Sequence, residues 1–227
     1  MQFPLSNSGK LRTTAKVWLC CLVLATGLAN AQSASEPMII NRGTSGEPPS
    51  LDPNMAAGTL AAPIISDMFQ GLLARGPDSR PAPGAAESWE ISEDGKTYTF
   101  KLRPNLRWSD GRPLTADDFV YSYRRIVDPQ TASRLVGLFF MLKNTREIME
   151  GKLPPEELGV SAPDDRTVVM ELNEPTPYLL ELIGNLQAVP VPRHVIEEHG
   201  SGWTRPGVMV SNGAFYLDER VPQSYIG

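Results

Sequence analysis

The 227-residue sequence predicts an α+β fold, in which strands and helices are mixed without strict alternation. Two patterns carry this prediction. Residues 97–103 alternate polar and apolar side chains, which is typical of a half-buried strand. Residues 116–127 place apolar side chains at helical spacing directly after Thr115, a residue type that favours helix N-termini.

The elements before residue 97 are a strand, a loop region and a helix. A first strand is predicted over residues 38–42, and glycine and proline mark loops at 46–49 and 51–53. A helix is predicted from about Ala61, because Pro63 suits a first helical turn. The apolar residues that share one face of this helix are Ile64, Ile65, Met68, Phe69 and Leu72.

The turn at 94–95 precedes the strand at 97–103, and a second turn at 108–111 follows it. Thr115 and Asp118 have the spacing of a capping box, and the acidic residues suit the positive end of the helix. We expect this helix to end at Asp128, before Pro129. Its predicted buried residues are Phe119, Val120, Tyr123, Ile126 and Val127.

The last third of the chain contains further patterns typical of strands, helices and turns. A strand is predicted at 168–172 after a turn at 163–165, and a short helix near Val195. A helix is predicted at 175–186, and a strand at 214–217 after a turn at 212–213. The residues of the 175–186 helix expected to face inward are Tyr178, Leu179, Leu182, Ile183 and Leu186.

Residues 1–31 have the pattern of a cleaved export signal. Lys10, Arg12 and Lys16 precede an apolar run at 17–28, and residues 29–31 read Ala-Asn-Ala, so we expect cleavage before Gln32. The apolar run is too short for a bilayer span, which needs about 20 residues. Both cysteines, Cys20 and Cys21, lie in this run and would leave with the signal. The mature chain is therefore expected in a periplasm, without a membrane span, disulfide or thiolate metal site.

The formal net charge of the full sequence is −5. Removal of Lys10, Arg12 and Lys16 with the signal leaves 18 basic and 26 acidic residues, a net charge of −8. An acidic chain is repelled by nucleic acid, so nucleic acid is not an expected partner. No nucleophile elbow, dinucleotide fingerprint or phosphate loop is present, and no enzyme activity or cofactor is predicted.

Four sets of polar or aromatic side chains are candidates for a functional site. His194 and His199 are about 140° apart on a helix, which argues against a shared metal, and we expect both to be exposed. Asp117 and Asp118 fit helix capping better than paired catalytic carboxylates. We expect the aromatic side chains to pack in the core; they are Phe119, Tyr123, Trp89 and Trp108. We expect the acidic pairs Glu156-Glu157 and Glu197-Glu198 to be exposed to solvent.

Several motifs together resemble the oligopeptide-binding proteins among the bacterial extracellular solute-binding proteins of family 5. The run at 81–89, PAPGAAESW, is similar to a characteristic stretch of these proteins and is one of seven motifs that keep the family order. The other six lie at residues 50–53, 97–103 with 107–111, 114–122, 127–133, 173–178 and 211–215. Asn105 departs from the charged residue usual in the signature.

The resemblance implies a fold like that of type II periplasmic binding proteins, with two lobes that close around a peptide. It implies that residues 32–72 and 190–227 belong to an incomplete lobe one, and that 73–189 form an inserted β-rich domain. In the family, lobe two and the last part of lobe one normally follow, and they would need roughly as many residues again as this chain holds, so a truncated chain is expected.

The resemblance also implies ligand-facing positions. The loop after residues 51–53 faces the peptide in the family, which brings in Gly58 and Thr59. Family members can carry glutamate just before that glycine, where this chain has Ala57. A tyrosine reaches the peptide in some members at the position of Leu135.

The expected function is therefore that of the periplasmic receptor of an ABC-type importer, which delivers short peptides to the permease subunits. Full-length relatives are expected to be monomeric. Receptors for another solute, such as a dipeptide, nickel or a sugar, are the first alternative, although residues 131–133 favour oligopeptides. A secreted hydrolase and a non-functional remnant are the others.

Overall fold

The computed structural model describes residues 42–43, 45–56, 58–184 and 188–227. The predicted export signal with its cleavage point and both cysteines lie outside the described residues, as do Ala57, Leu186 and all but the last residue of the predicted strand at 38–42. The elements below all belong to one compact unit that begins after Gly43.

The first helix, α1, spans Ala62–Met68 and carries proline in its first turn, which confirms the predicted start. Ile65 and Met68 are buried. Two short strands follow, β1 at Leu73–Arg75 and β2 at Pro81–Pro83, and pair as an antiparallel hairpin.

A four-stranded antiparallel sheet forms the centre of the described chain. Its strands are β3 at Ala86–Ile91, β4 at Thr97–Leu102, β5 at Val160–Asp164 and β6 at Thr167–Glu171, in the order β3-β4-β6-β5. Tyr98, Phe100 and Leu102 are buried on one face of β4, which confirms the predicted alternation. The strand β3 was not predicted, because most of its side chains are exposed and polar.

Helix α2 spans Ala116–Val127 and packs on β5 and β6. All five side chains predicted to be buried are buried, and the helix ends at Asp128 as expected. Thr115 and Asp118 form the predicted capping box, in which the backbone N–H of Thr115 donates to the Asp118 carboxylate at 2.8 Å. Asp118 thereby satisfies a backbone donor just before the helix begins.

Short elements complete the described chain. They are α3 at Thr145–Met149, α4 at Leu179–Ile183, α5 at Arg193–His199, β7 at Arg220–Val221, β8 at Tyr225–Ile226, and 3₁₀ turns at Val136–Phe139, Pro155–Glu157 and Gly200–Thr204. Strands β7 and β8 pair with each other. Among the residues described, no helix has the length and apolar character needed to cross a membrane.

The helix predicted at 175–186 was too long. In the structure α4 begins only at Leu179, whose N–H donates to the carbonyl of Thr176. Prolines at 175 and 177 keep the preceding residues out of a helix. Tyr178 was expected to face inward but is 60% exposed, whereas Leu179 and Ile183 are buried as predicted.

The strand predicted at 214–217 does not form. Instead, the N–H groups of Gly213 and Phe215 donate to the carbonyls of Met68 and Asp67 at 2.7 and 3.1 Å, and so cap the end of α1. The approach is so close that a Cβ atom on Gly213 would lie 2.5 Å from the Met68 backbone. Asn212 adds hydrogen bonds to both the N–H and the carbonyl of Gln70.

Candidate functional site

A buried ion pair joins the loop before α1 to helix α2. The guanidinium of Arg125 donates to both carboxylate oxygens of Asp52, at 3.0 and 2.7 Å. Their side chains are only 16% and 9% exposed. Arg125 also donates to the Asn54 side chain at 2.9 Å, and the Trp203 indole N–H donates to Asp52 at 3.2 Å. Asp52 therefore connects three separate stretches of the chain.

Neutral hydrogen bonds extend this network. The Asn54 amide donates to the Ser122 hydroxyl at 3.1 Å, and Ser122 donates to the carbonyl of Val189 at 2.6 Å. The Tyr123 hydroxyl donates to the carbonyl of Ala188 at 3.3 Å. Burial raises the pKa of Tyr123 above its ordinary value, so this phenol remains a donor. The buried face of α2 is thus held to the segments on both sides of it in the sequence.

The loop that follows α2 is fixed against the Asn54 loop. The Ser133 hydroxyl donates to the backbone carbonyl of Asn54 at 2.5 Å, and accepts a hydrogen bond from the N–H of Leu135 at 3.2 Å. Ala132 has a φ of 51°, in the left-handed region that is unfavourable for a residue with a Cβ atom. A loop that keeps such a residue is held by its surroundings.

The structure brings the two segments with predicted ligand positions together through this Ser133–Asn54 contact. Gly58 and Thr59 are exposed on the loop before α1. Gly58 has a φ of 106° and open space where a Cβ would lie, so its backbone is accessible. Leu135 is only 5% exposed, and its side chain belongs to the hydrophobic core.

A cleft of about 1020 Å³ runs along the outward face of α2. The α2 residues that line it are Asp117, Val120, Tyr121, Arg124 and Arg125, which recur at helical spacing. Met55 and Asp52 line it from the loop before α1, and Gln130, Thr131 and Arg134 from the loop after α2.

The cleft carries four arginines and four acids, so its formal charge is balanced. Arg124, Arg125 and Arg193 each have a partner, whereas Arg134 is exposed and has none among the described residues. Sequence reasoning found neither this cleft nor the Asp52–Arg125 pair. One sequence pattern could have indicated the cleft. Asp117, Tyr121, Arg124 and Asp128 recur at helical spacing and mark the polar face of α2.

The two histidines lie apart from this network. His194 was expected to be exposed, but its side chain is 25% exposed and lies 2.8 Å from the Asp110 carboxylate. Burial raises the pKa of Asp110, yet hydrogen bonds from the Arg112 N–H and His194 outweigh it, and the pKa is lowered overall. His199 pairs instead with Glu198 at 3.7 Å. Within the described ranges, no group of three side chains is suited to a metal ion.

The core-packing interpretation holds for most of the remaining candidates. Phe119, Tyr123 and Trp108 are buried, and Trp89 packs partly buried against the core. The Glu156-Glu157 and Glu197-Glu198 pairs are exposed as expected.

Comparison with known proteins gives a consistent result for the family. Residues 80–227 match the bacterial extracellular solute-binding proteins, family 5 (middle region). The chain is 42% identical over 202 residues to the periplasmic oligopeptide-binding protein OppA of Escherichia coli K12, which covers 88% of this chain and 37% of OppA. It is 41% identical over 212 residues to the probable deoxycholate-binding periplasmic protein YgiS of the same organism, covering 90% of this chain and 40% of YgiS.

A solved structure supports the fold. The complex of Haemophilus influenzae OppA with the peptide RPPGFSPFR superposes with a TM-score of 0.77 at 38% identity, over 80% of this chain and 36% of that one. The likeness confirms the predicted type II binding-protein architecture. This chain thus spans about two fifths of the length of the relatives that it matches.

Proposed function

Because this chain belongs to the bacterial extracellular solute-binding proteins of family 5, we propose that it forms part of the periplasmic receptor of an ABC-type oligopeptide importer. Its contribution is one wall of a peptide-binding site. The observation that carries this proposal is the Ser133–Asn54 contact, which holds the loops of both predicted ligand positions against each other.

Within this wall, Gly58 and Thr59 contact the peptide main chain. Gly58 suits this role because it presents an exposed backbone with no side chain. Binding through main-chain hydrogen bonds gives affinity for many peptide sequences, and hydrated pockets for the side chains keep sequence preference low. No covalent bond is made or broken in this function.

Leu135 has an indirect role in the proposal. Its side chain is buried, so it anchors the loop between α2 and the 3₁₀ turn at Val136–Phe139. The ligand then meets the backbone and the exposed neighbours of Leu135. The domain division at residues 73 and 190 likewise remains part of the proposal.

The partners in this proposal are short peptides and the permease subunits of the importer, and the place of action is the periplasm. Export follows from the signal predicted at residues 1–31. Two findings support the same assignment: E. coli OppA is named a periplasmic oligopeptide-binding protein, and the H. influenzae OppA structure is a complex with a peptide.

A receptor for another solute is the second candidate. YgiS is named as a probable deoxycholate-binding protein and is 41% identical to this chain, almost as similar as OppA. Deoxycholate has one large apolar face besides its carboxylate and hydroxyl groups, and such a face needs a matching apolar surface, whereas eight of the 18 residues that line the cleft beside α2 are charged. We therefore favour peptides.

The test is a chimera in which residues of this chain replace the matched segment of E. coli OppA. Calorimetry with a mixed library of tri- to pentapeptides is expected to show binding, with unmodified OppA as the positive control. Deoxycholate, nickel and a sugar serve as comparison ligands. Binding of any of these in place of every peptide would overturn the peptide assignment.

A further inference from the structure

We propose that Asn212-Gly213 is a site of spontaneous deamidation, which reacts only when the segment at 212–215 opens from the end of α1. The inference goes beyond the proposed function and does not depend on it. This pair is the only Asn-Gly step in the sequence. Glycine after asparagine favours the reaction, because no side chain shields the backbone nitrogen that attacks.

The reaction closes a ring between the two residues. The backbone nitrogen of Gly213 attacks the Cγ atom of Asn212, and a new N–Cγ bond forms. The Cγ–Nδ2 bond breaks, and Nδ2 leaves as ammonia with the proton that the backbone nitrogen has lost. Water then opens the succinimide at either carbonyl and gives aspartate or isoaspartate. Water is the co-reactant, and no oxidant or reductant takes part.

In the folded chain the end of α1 holds both reacting groups. The Gly213 N–H donates to the carbonyl of Met68 at 2.7 Å, so its proton is not available to solvent base. The Asn212 amide donates to the carbonyl of Gln70 at 2.9 Å and accepts the N–H of Gln70 at 3.0 Å, which fixes Cγ in place. Ring closure therefore requires that three hydrogen bonds open together.

The same segment is among the weakly packed parts of the described chain. Gly213 is exposed, and Phe215 and Tyr216 keep 57% and 66% of their surface in contact with solvent. With few apolar contacts, the segment depends on its backbone hydrogen bonds, and such regions open locally at a lower free energy than the whole fold. Water reaches Asn212 as soon as this opening occurs.

The products cannot restore the original contact. Isoaspartate adds a methylene group to the main chain beside Gly213, where even a Cβ atom would lie 2.5 Å from the Met68 backbone. Aspartate lacks the Nδ2 donor and places a carboxylate oxygen against the carbonyl of Gln70. Each product weakens the cap of α1, so the modification is a permanent record of an opening.

The experiment incubates the purified chain at mildly alkaline pH, in buffer and in urea, and measures deamidation of Asn212 by mass spectrometry of its proteolytic peptide. We expect the reaction to be about a hundredfold slower in buffer, because three hydrogen bonds must open and each changes the opening equilibrium roughly fivefold. Deuterium exchange of the Gly213 N–H is followed in the same samples, since it reports the same opening.

Two variants locate the opening. Ser211→Ala removes the buried hydroxyl that donates to the carbonyl of Phe215 at 3.0 Å, and we expect deamidation and Gly213 exchange in buffer to be about fivefold faster. In urea its rate is unchanged, because the Asn-Gly pair is intact. Thr145→Val is the matched control, since it also removes a buried hydroxyl bonded to a backbone carbonyl, that of Phe139 at 2.9 Å. There we expect no change in either rate.

Any of four results would overturn the inference. No reaction in urea would show that the pair is inert, and equal rates in buffer and urea would show that α1 gives no protection. Equal acceleration in Ser211→Ala and Thr145→Val would assign the reaction to unfolding of the whole chain. Faster Gly213 exchange in Ser211→Ala without faster deamidation would separate ring closure from this opening.

Discussion

The sheet with helix α2 and the segment at 212–227 use similar apolar side chains in opposite ways. In the first region Phe100, Phe119 and Met170 are fully buried. In the second, Phe215 is 57% exposed and Tyr216 is 66% exposed, and the segment is held to α1 mainly by backbone hydrogen bonds. Phe100, Phe119 and Met170 are buried where α2 packs on the sheet, whereas in the second region Leu217 reaches the core and Phe215 and Tyr216 do not.

The largest expected effect separates these regions directly. Phe119→Ala removes a ring with 0% exposure and leaves a cavity between α2 and the sheet, so we expect a loss of about 3–5 kcal/mol in the free energy of unfolding. Phe215→Ala is the matched control, and a change within about 0.5 kcal/mol is expected there. Urea denaturation measures both. Equal losses would show that the two regions share one packing environment.

The second prediction concerns the Asp52–Arg125 pair. Asp52→Ala leaves the Arg125 guanidinium, 16% exposed, without its carboxylate, and we expect a loss of about 3 kcal/mol. The double variant Asp52→Ala with Arg125→Met is expected to recover part of this loss, because no unpaired buried charge remains. A double variant less stable than Asp52→Ala would contradict this account.

A smaller effect is expected at the start of α2. Thr115→Ala removes one member of the capping box, and we expect a loss of about 1 kcal/mol in the free energy of unfolding. The midpoint of urea unfolding reports it. The backbone N–H of Thr115 keeps its bond to Asp118 in this variant, so an unchanged midpoint would assign the cap to Asp118 alone.

The smallest effect is a pH dependence of opposite sign at two aspartates. Burial raises the pKa of Asp118 above its ordinary value of 3.8, against hydrogen bonds from Thr115. The indole N–H of Trp108 also favours the charged form, although it does not reach hydrogen-bond geometry. A raised pKa means that the folded protein holds the proton more tightly. The stability gained from Asp118 is thus present at low pH and lost as the pH rises through the raised pKa.

Asp94 behaves in the opposite way. Hydrogen bonds from the Ser92 hydroxyl and the Lys96 N–H lower its pKa, so its contribution is present above pH 3.8 and lost as the pH falls. As the pH rises from 3 to 7, Asp118→Asn is expected to gain stability relative to the wild type and Asp94→Asn to lose it. Urea midpoints measured at both pH values test this, and shifts of the same sign would contradict it.

The sequence predicted the fold where local pattern and packing agree. The alternation at Tyr98, Phe100 and Leu102 and the helical spacing in α2 reflect burial on one face, and both were confirmed. The strand predicted from the apolar pattern of residues 214–217 was wrong, because this segment is hydrogen-bonded to the end of α1 and not to another strand. The neighbouring contact between Asn212 and Gln70 joins residues 142 positions apart, so no local sequence pattern predicts it.

The candidate site was less accessible to sequence reasoning. Gly58 and Thr59 came only from the family resemblance, and their role stays a prediction. Asp52 and Arg125 are 73 residues apart, so nothing in the local pattern predicts their ion pair. The availability of Arg134 depends on which other arginines of the cleft find partners, and this follows only from the folded structure.

The contact between Gly213 and the end of α1 has a consequence for the order in which the molecule assembles. At a synthesis rate of about 5–20 residues per second, Asn212 is added roughly 7 to 28 seconds after Gln70, the residue that it contacts. During this interval the seven-residue helix has no cap and is too short to persist alone. Ile65 and Met68 therefore cannot take up their buried positions in a capped helix until residues 212–215 have been made.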